Sequence, residues 1–331
     1  MKINTCLKVI ANVLWIGMGF AADSSSWRLQ LSRVAELEAR GDIEGAKQVL
    51  HRIITDRESS FLPDDALPSA LNRLGSLEQD QAHYREAERL YRRAIQVWES
   101  RPGVPDIGLA HALNNLGSLY LEMGQPGRAQ ALRLRSLNIR VQLLGPEHPD
   151  IALAYSNLAA DTYRLGRYSE AESLCRRALA IWSKLPGDPN YADRTLNTLA
   201  LIRLEEHDYD QALAVIQDCI RGLTPSKSRE LPSYLNTLAV IYARAGRLQD
   251  SEAVFQRALE SSEIRRNPQS PQTAIQTAIL LANYSRLLKR TGRKAEGRAI
   301  QRQATALHDG IVRANGLQYS VDVSAFQRSG K

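Results

Sequence analysis

One segment is written six times in this chain. "ALNRLGSLEQD" at Ala70, "ALNNLGSLYLEMG" at Ala112, "AYSNLAADTYRLG" at Ala154, "TLNTLALIRLEEH" at Thr195, "YLNTLAVIYARAG" at Tyr234 and "LLANYSRLLKRTG" at Leu280 share one pattern. The anchoring residues Leu74, Leu116, Leu158, Leu199, Leu238 and Tyr284 stand 42, 42, 41, 39 and 46 residues apart. A nearly constant period of this length means stacked supersecondary units, each burying its apolar face only against its neighbours.

Each unit reads as two antiparallel helices. Leu116 and Tyr120 fall on one helix face at i and i+4, and Gly117 between them removes side-chain bulk so that a partner helix can approach. Ala159, Ala200, Ala239 and Ser285 keep that position small in later units. Gly124, Gly166, Gly246 and Gly292 end the first helix with a residue that tolerates the left-handed conformation. The second helix places a small residue at the crossing, Ala87, Ala129, Ala171, Ala212, Ser251 and Gly297 in turn. Tyr91, Arg133, Cys175, Ile216, Phe255 and Gln301 follow four residues on. Arg133 and Gln301 break the apolar rule, which suits a terminal polar face only for Gln301.

Composition agrees with an all-helical chain: 331 residues, 44% hydrophobic, 24% charged and 6% aromatic, with Ala, Leu, Arg, Glu and Gln prominent. Residues 1–21 read as a secretory signal peptide, with Lys2 and Lys8 before the apolar run Val9–Phe20 and small residues Gly19 and Ala21 at the cleavage site. The alternative is an N-terminal extension of a cytosolic protein. With cleavage the chain is exported, periplasmic or secreted; without it, cytoplasmic. No segment after the signal is long and apolar enough for a stable membrane span. Arg outnumbers Lys, which together with the signal-like start suits a bacterium. Cys6 departs with the signal, and Cys175 and Cys219 lie on apolar helix faces, where thiols behave as small hydrophobes; spacing alone leaves open whether they pair.

The L-G-x2-Y run Leu116–Tyr120 and the A-x3-aromatic run Ala87–Tyr91 resemble the tetratricopeptide repeat. "LGPEHPD" at Leu144, just before a helix, with "LNNLG" inside one, resembles the long variant found in kinesin light chains. Pro146 and Pro149 end the preceding helix, and Asp150 is expected to cap a helix beginning at Ile151, leaving His148 a solvated turn residue. The resemblance implies an all-α, right-handed solenoid of about seven antiparallel helix pairs. Six units cover about 67–99, 107–143, 149–184, 190–223, 230–265 and 271–313, behind a degenerate first pair at 27–57 and before a tail at 316–331. The light chains' motor attachment is not implied, since no heptad coiled coil precedes Trp27.

The same resemblance implies a concave face lined by the first helices. Asn72, Asn114, Asn197 and Asn236 share one position two residues before the anchor, where a column of amides offers donors and acceptors to a peptide backbone. Five residues after each small position come Asp80, Glu122, Arg164, Glu205, Arg244 and Arg290, acidic first and basic later. Arg164, Arg244, Lys289 and Arg290 make a platform for acidic side chains or a terminal carboxylate. The expected partner is a protein or peptide with acidic character.

Other classes fare worse. The net charge of +7 is spread over every helix without a confined basic stripe, so nucleic acid is not the expected partner. No phosphate-binding loop, H-E-x-x-H or C-x2-C pattern occurs, and "GMGFA" at Gly17 lies in the signal with no strand before it. No cofactor or metal is expected, and the chain reads as a non-catalytic scaffold binding a partner in its groove. The alternative is a regulatory or assembly subunit acting through its convex or terminal surfaces.

Overall fold

The computed structural model describes residues 27–59, 65–101, 106–184, 192–223, 230–261 and 271–314. The signal peptide, the tail and the loops around "RPGVPD" and "LPGDPNYA" fall outside them. Among the described residues the chain is all helix, arranged as seven antiparallel pairs: α1 (27–39) with α2 (Ile43–Glu58), α3 (Ala66–Asp80) with α4 (Tyr84–Glu99), α5 (Ile107–Glu122) with α6 (Pro126–Leu144), α7 (Pro149–Arg164) with α8 (Tyr168–Trp182), α9 (Asp193–Glu205) with α10 (Tyr209–Arg221), α11 (Leu231–Arg244) with α12 (Leu248–Ser261), and α13 (Pro271–Arg290) with α14 (Lys294–Ala314). This is the α-solenoid architecture that the repeat demands.

Two compact units make up the chain. In the first, Met1–Glu78 with Arg85–Val104, Ala46 and Leu50 of α2, Leu71 and Leu74 of α3, and Leu90 and Tyr91 of α4 are buried. Gly75 is required there: a Cβ on it would stand 2.8 Å from Cε1 of Tyr91. Lys47 and Glu78 form an almost fully covered ion pair at 2.8 Å.

In the second unit, Gln79–Tyr84 with Pro105–Lys331, each pair packs internally, and its second helix packs on the first helix of the next pair. The first helices α7, α9, α11 and α13 also pack in file. The small crossing positions explain how closely they approach. A Cβ on Gly117 would lie 3.3 Å from the Ala129 carbonyl, and the Ser251 hydroxyl donates to the Ala239 carbonyl at 2.8 Å across the same kind of crossing. Cys175 sits among Ala159, Ala171 and Ile202, where burial pushes its thiol up to about 12. Both Cys175 and Cys219 are free and buried.

The turn inside every pair needs a positive φ. Gly41, Gly124, Gly166, Gly246 and Gly292 supply it with φ between 71° and 85°, while Ala82 (59°) and His207 (62°) hold the equivalent position without being glycine. The next residue closes the turn by bonding back into the helix, as when the Gln125 N–H donates to the Tyr120 carbonyl at 2.7 Å. Because a side chain in this conformation costs about 1–2 kcal/mol, Ala82→Gly is expected to stabilise the chain by about 1 kcal/mol, read as a shift in the urea midpoint. A loss of stability would show that the buried Ala82 methyl contributes more than the strain it imposes.

The α6–α7 connection corrects one expectation. Helix α7 begins at Pro149, not Ile151, and its cap is His148, whose Nδ1 accepts the Asp150 N–H at 3.1 Å. Pro149 fits the first helical position because its missing N–H would have had no partner there. Gly145, at φ 78°, ends α6, and Asp150 is drawn to Arg140, whose Nη1 donates to its carboxylate at 2.9 Å.

Candidate protein-binding face

Helix α3 carries Asn72, half-buried in the first unit. Helices α5, α9 and α11 of the second unit carry Asn114, Asn197 and Asn236, each also half-buried. The second-unit amides are already engaged on one side. Asn157 of α7 donates its Nδ2 to Oδ1 of Asn114 at 3.3 Å, and Asn283 of α13 donates to Oδ1 of Asn236 at 3.0 Å. Oδ1 of Asn197 is buried and finds no partner, because the residue that would face it from α11 is Thr237, whose hydroxyl bonds its own helix at Ser233. Two of these amides thus tie neighbouring first helices together. In the third unit Ser156 replaces Asn and bonds the Thr195 hydroxyl of α9.

The charged row is less uniform than its sequence. Arg164 is exposed, yet protein surrounds it closely enough to pull its guanidinium below the ordinary range, as a recessed surface does. Arg244 stands 3.7 Å from Glu205, and Arg290 donates to the Ala243 carbonyl at 2.8 Å. Lys289 is exposed and lays its stem over Gly297, where an added Cβ would come within 2.8 Å of its Cγ. Arg286, one turn before Arg290 on α13, is exposed; burial of its surroundings and the nearby Arg244 charge both lower its pKa.

Glu122 supplies the expected negative charge only in part near neutral pH. It accepts from Gln79 Nε2 at 2.8 Å and from the Tyr84 hydroxyl, with Asp80 close by, and burial raises it to about 7. Its folded pKa lies above the unfolded value, so between about 4.5 and 7 the folded chain holds a proton that the unfolded chain has lost. Stability therefore falls as pH rises through that window, by at most about 3 kcal/mol. Glu122→Gln is expected to flatten this part of the pH profile of chemical denaturation; an unchanged slope would assign it to another group.

Between α5, α6 and α7 lies a polar seam. Arg133, flagged by the sequence as out of place, is buried and donates Nη1 to Asp161 Oδ1 at 2.6 Å and to the Asn157 carbonyl at 3.2 Å, with Nη2 on the Ser118 hydroxyl at 2.9 Å. Asp161 is wholly buried. Burial lowers the Arg133 pKa and raises Asp161 to about 6, desolvation outweighing their attraction. Beside them Gln130 donates to the buried Thr162 hydroxyl at 3.0 Å.

Family models for the tetratricopeptide repeat match residues 66–140, 108–172 and 150–224, and a second model of the same description matches 233–272. Together they span more than half of the chain. The chain belongs to the tetratricopeptide-repeat family. No curated protein matches it. Similar solved structures include BtubC (BKLC) from P. vanneervenii, 22% identical over 68% of this chain and 92% of that one, with a TM-score of 0.54. The apo form of RapI is 14% identical, covering 87% and 99%, with a TM-score of 0.67. The Rap conjugation gene regulator of plasmid pLS20, in complex with the Phr* peptide, is 14% identical, covering 89% and 97%, with a TM-score of 0.57. At these identities the likeness is one of fold.

Among the described residues no three His, Cys, Asp or Glu side chains stand close enough to hold a metal ion, and no helix is long and apolar enough to cross a membrane. The tetratricopeptide fold serves protein interaction, which makes this chain a protein-interaction scaffold. Sequence reasoning missed Asn157, Asn283 and Arg286, each of which engages or adjoins the amide column from the next helix.

Proposed function

We propose that this tetratricopeptide-repeat chain is a non-catalytic, exported scaffold that holds a segment of a partner protein along its first helices. The observation that carries the reading is the amide column of Asn114, Asn197 and Asn236. Each turns Oδ1 toward the protein, two into bonds with the next first helix, and among the described residues no group takes its Nδ2. Such donors, two repeats apart from Asn114 to Asn197 and one repeat apart from Asn197 to Asn236, suit an extended chain or a helix with a carbonyl or carboxylate at each of them. Recessed Arg164 and the cations of α13 favour a partner with acidic character. The pLS20 regulator, of the same fold, is described bound to a peptide, which supports the reading without supplying the partner.

The test is capture of crosslinked partners from the native extract by the wild-type chain and by Asn114→Ala/Asn236→Ala. The double variant is expected to lose its partners while keeping its helical circular dichroism, and the captured chain is expected to begin near Ala22. Unchanged partners would move the function to the convex or terminal surfaces. An intact Met1 would place the protein in the cytosol.

A further inference from the structure

Two bonds on α11 and α13 form a chain with a direction. Arg286 Nη1 donates to Oδ1 of Asn283 at 3.0 Å, and Asn283 Nδ2 donates to Oδ1 of Asn236 at 3.0 Å. A guanidinium has donors only, so the oxygen of Asn283 must face Arg286 and its nitrogen must face Asn236. That in turn consumes the acceptor of Asn236 and leaves its N–H2 as the free end. An amide that would otherwise flip freely between donor and acceptor is locked as a donor. Asn197 points the same way, with Oδ1 inside, and Arg244 and Arg290 add further donors on the same two helices.

We infer that Asn283 and Arg286 are positioning residues that lock Asn236 as a donor, so that the α11–α13 stretch of the groove selects the carboxylates of an acidic peptide. This rests on the groove reading above and sharpens it. A neutral backbone carbonyl satisfies one donor, whereas a carboxylate accepts from the amide and from a guanidinium together and balances the crowding of Arg286 by Arg244. A peptide is favoured over nucleic acid because Glu205 and Glu230 stand among the cations, pairing Arg244 and Arg194, and break any continuous track for phosphates.

The inference is tested by selecting a library of random octapeptides, displayed with free C-termini, on the full-length wild-type chain and on variants. The variants are Asn283→Asp, which can only accept and so forces Asn236 to turn its N–H2 inward, and the exposed Arg286→Met, which unlocks the relay while keeping the stem. Wild-type selection is expected to enrich Asp, Glu or a terminal carboxylate. Synthetic copies of the best acidic peptide should bind both variants about tenfold more weakly, with their Asp/Glu→Asn/Gln counterparts indifferent to the substitutions. Enriched peptides that lack acidic preference but are lost in Asn114→Ala/Asn236→Ala would overturn this inference and leave the groove reading standing. Equal binding of the acidic peptide to wild type and Arg286→Met would also overturn it. Peptides indifferent to the double alanine variant, or preferential capture of single-stranded DNA, would overturn both.

Discussion

Asp161→Ala is expected to cost about 3 to 5 kcal/mol, because it leaves Arg133 charged, buried and stripped of its carboxylate. The damage should be repaired from the other side. Arg133→Met with Asp161→Leu replaces the pair by the apolar residues that equivalent positions carry elsewhere, and the double variant is expected within about 1 kcal/mol of wild type or above it. The pair is not an optimal contact even in the wild type: Arg133 Nε and Asp161 Oδ2 are buried without partners, and both groups have pKa values moved toward neutrality by desolvation. Its value is therefore local pairing, not net stability. Urea melts of the two single variants and the double variant form the cycle that decides it. A mild single variant, or a double as poor as the single, would refute a closed ion pair at the seam.

That seam also shows what a repeat hides. The turn positions and the small crossing positions were legible because Gly, Ala and Ser fill nearly all of them, His207 being the one larger residue, and the pattern recurs six times. Arg133 was visible as an exception for the same reason. Its partner was not, although the signal existed: Asp161 stands three residues after Leu158, where Leu119, Ile202, Ile241 and Leu287 occupy the other first helices. Two charged residues at core positions of adjacent units are a pair, but adjacency of units is a fact about stacking, not about one unit's pattern. The amide column was incomplete for a related reason. Aligning units places Asn236 beside Ala282, yet the helices are offset, and the residue that meets Asn236 is Asn283, one position on. His148 was misjudged because Pro149 was read as a helix stop, when the first helical turn accepts proline equally well.

Phe255→Ala is expected to destabilise by about 3 to 5 kcal/mol, and its effect should be directional. Phe255 of α12 is almost wholly buried and packs on Leu235 and Ala239 of α11 and on Leu280, Tyr284, Leu287 and Leu288 of α13, its ring 5.6 Å from that of Tyr284. The cavity therefore opens on the interface between two pairs, and in a nearest-neighbour stack the loss falls on that interface first. The pair α13–α14 is the last described and, among the described residues, packs chiefly on α11–α12, so hydrogen exchange should quicken there at denaturant concentrations that leave α5–α8 protected. Equal acceleration in α5 and α14 would mean that the second unit unfolds as one cooperative block instead. The Asn236–Asn283–Arg286 relay spans the same interface, so Phe255→Ala should weaken acidic-peptide capture even where both helices remain formed. A donor relay built across two helices has only the packing between them to hold its register.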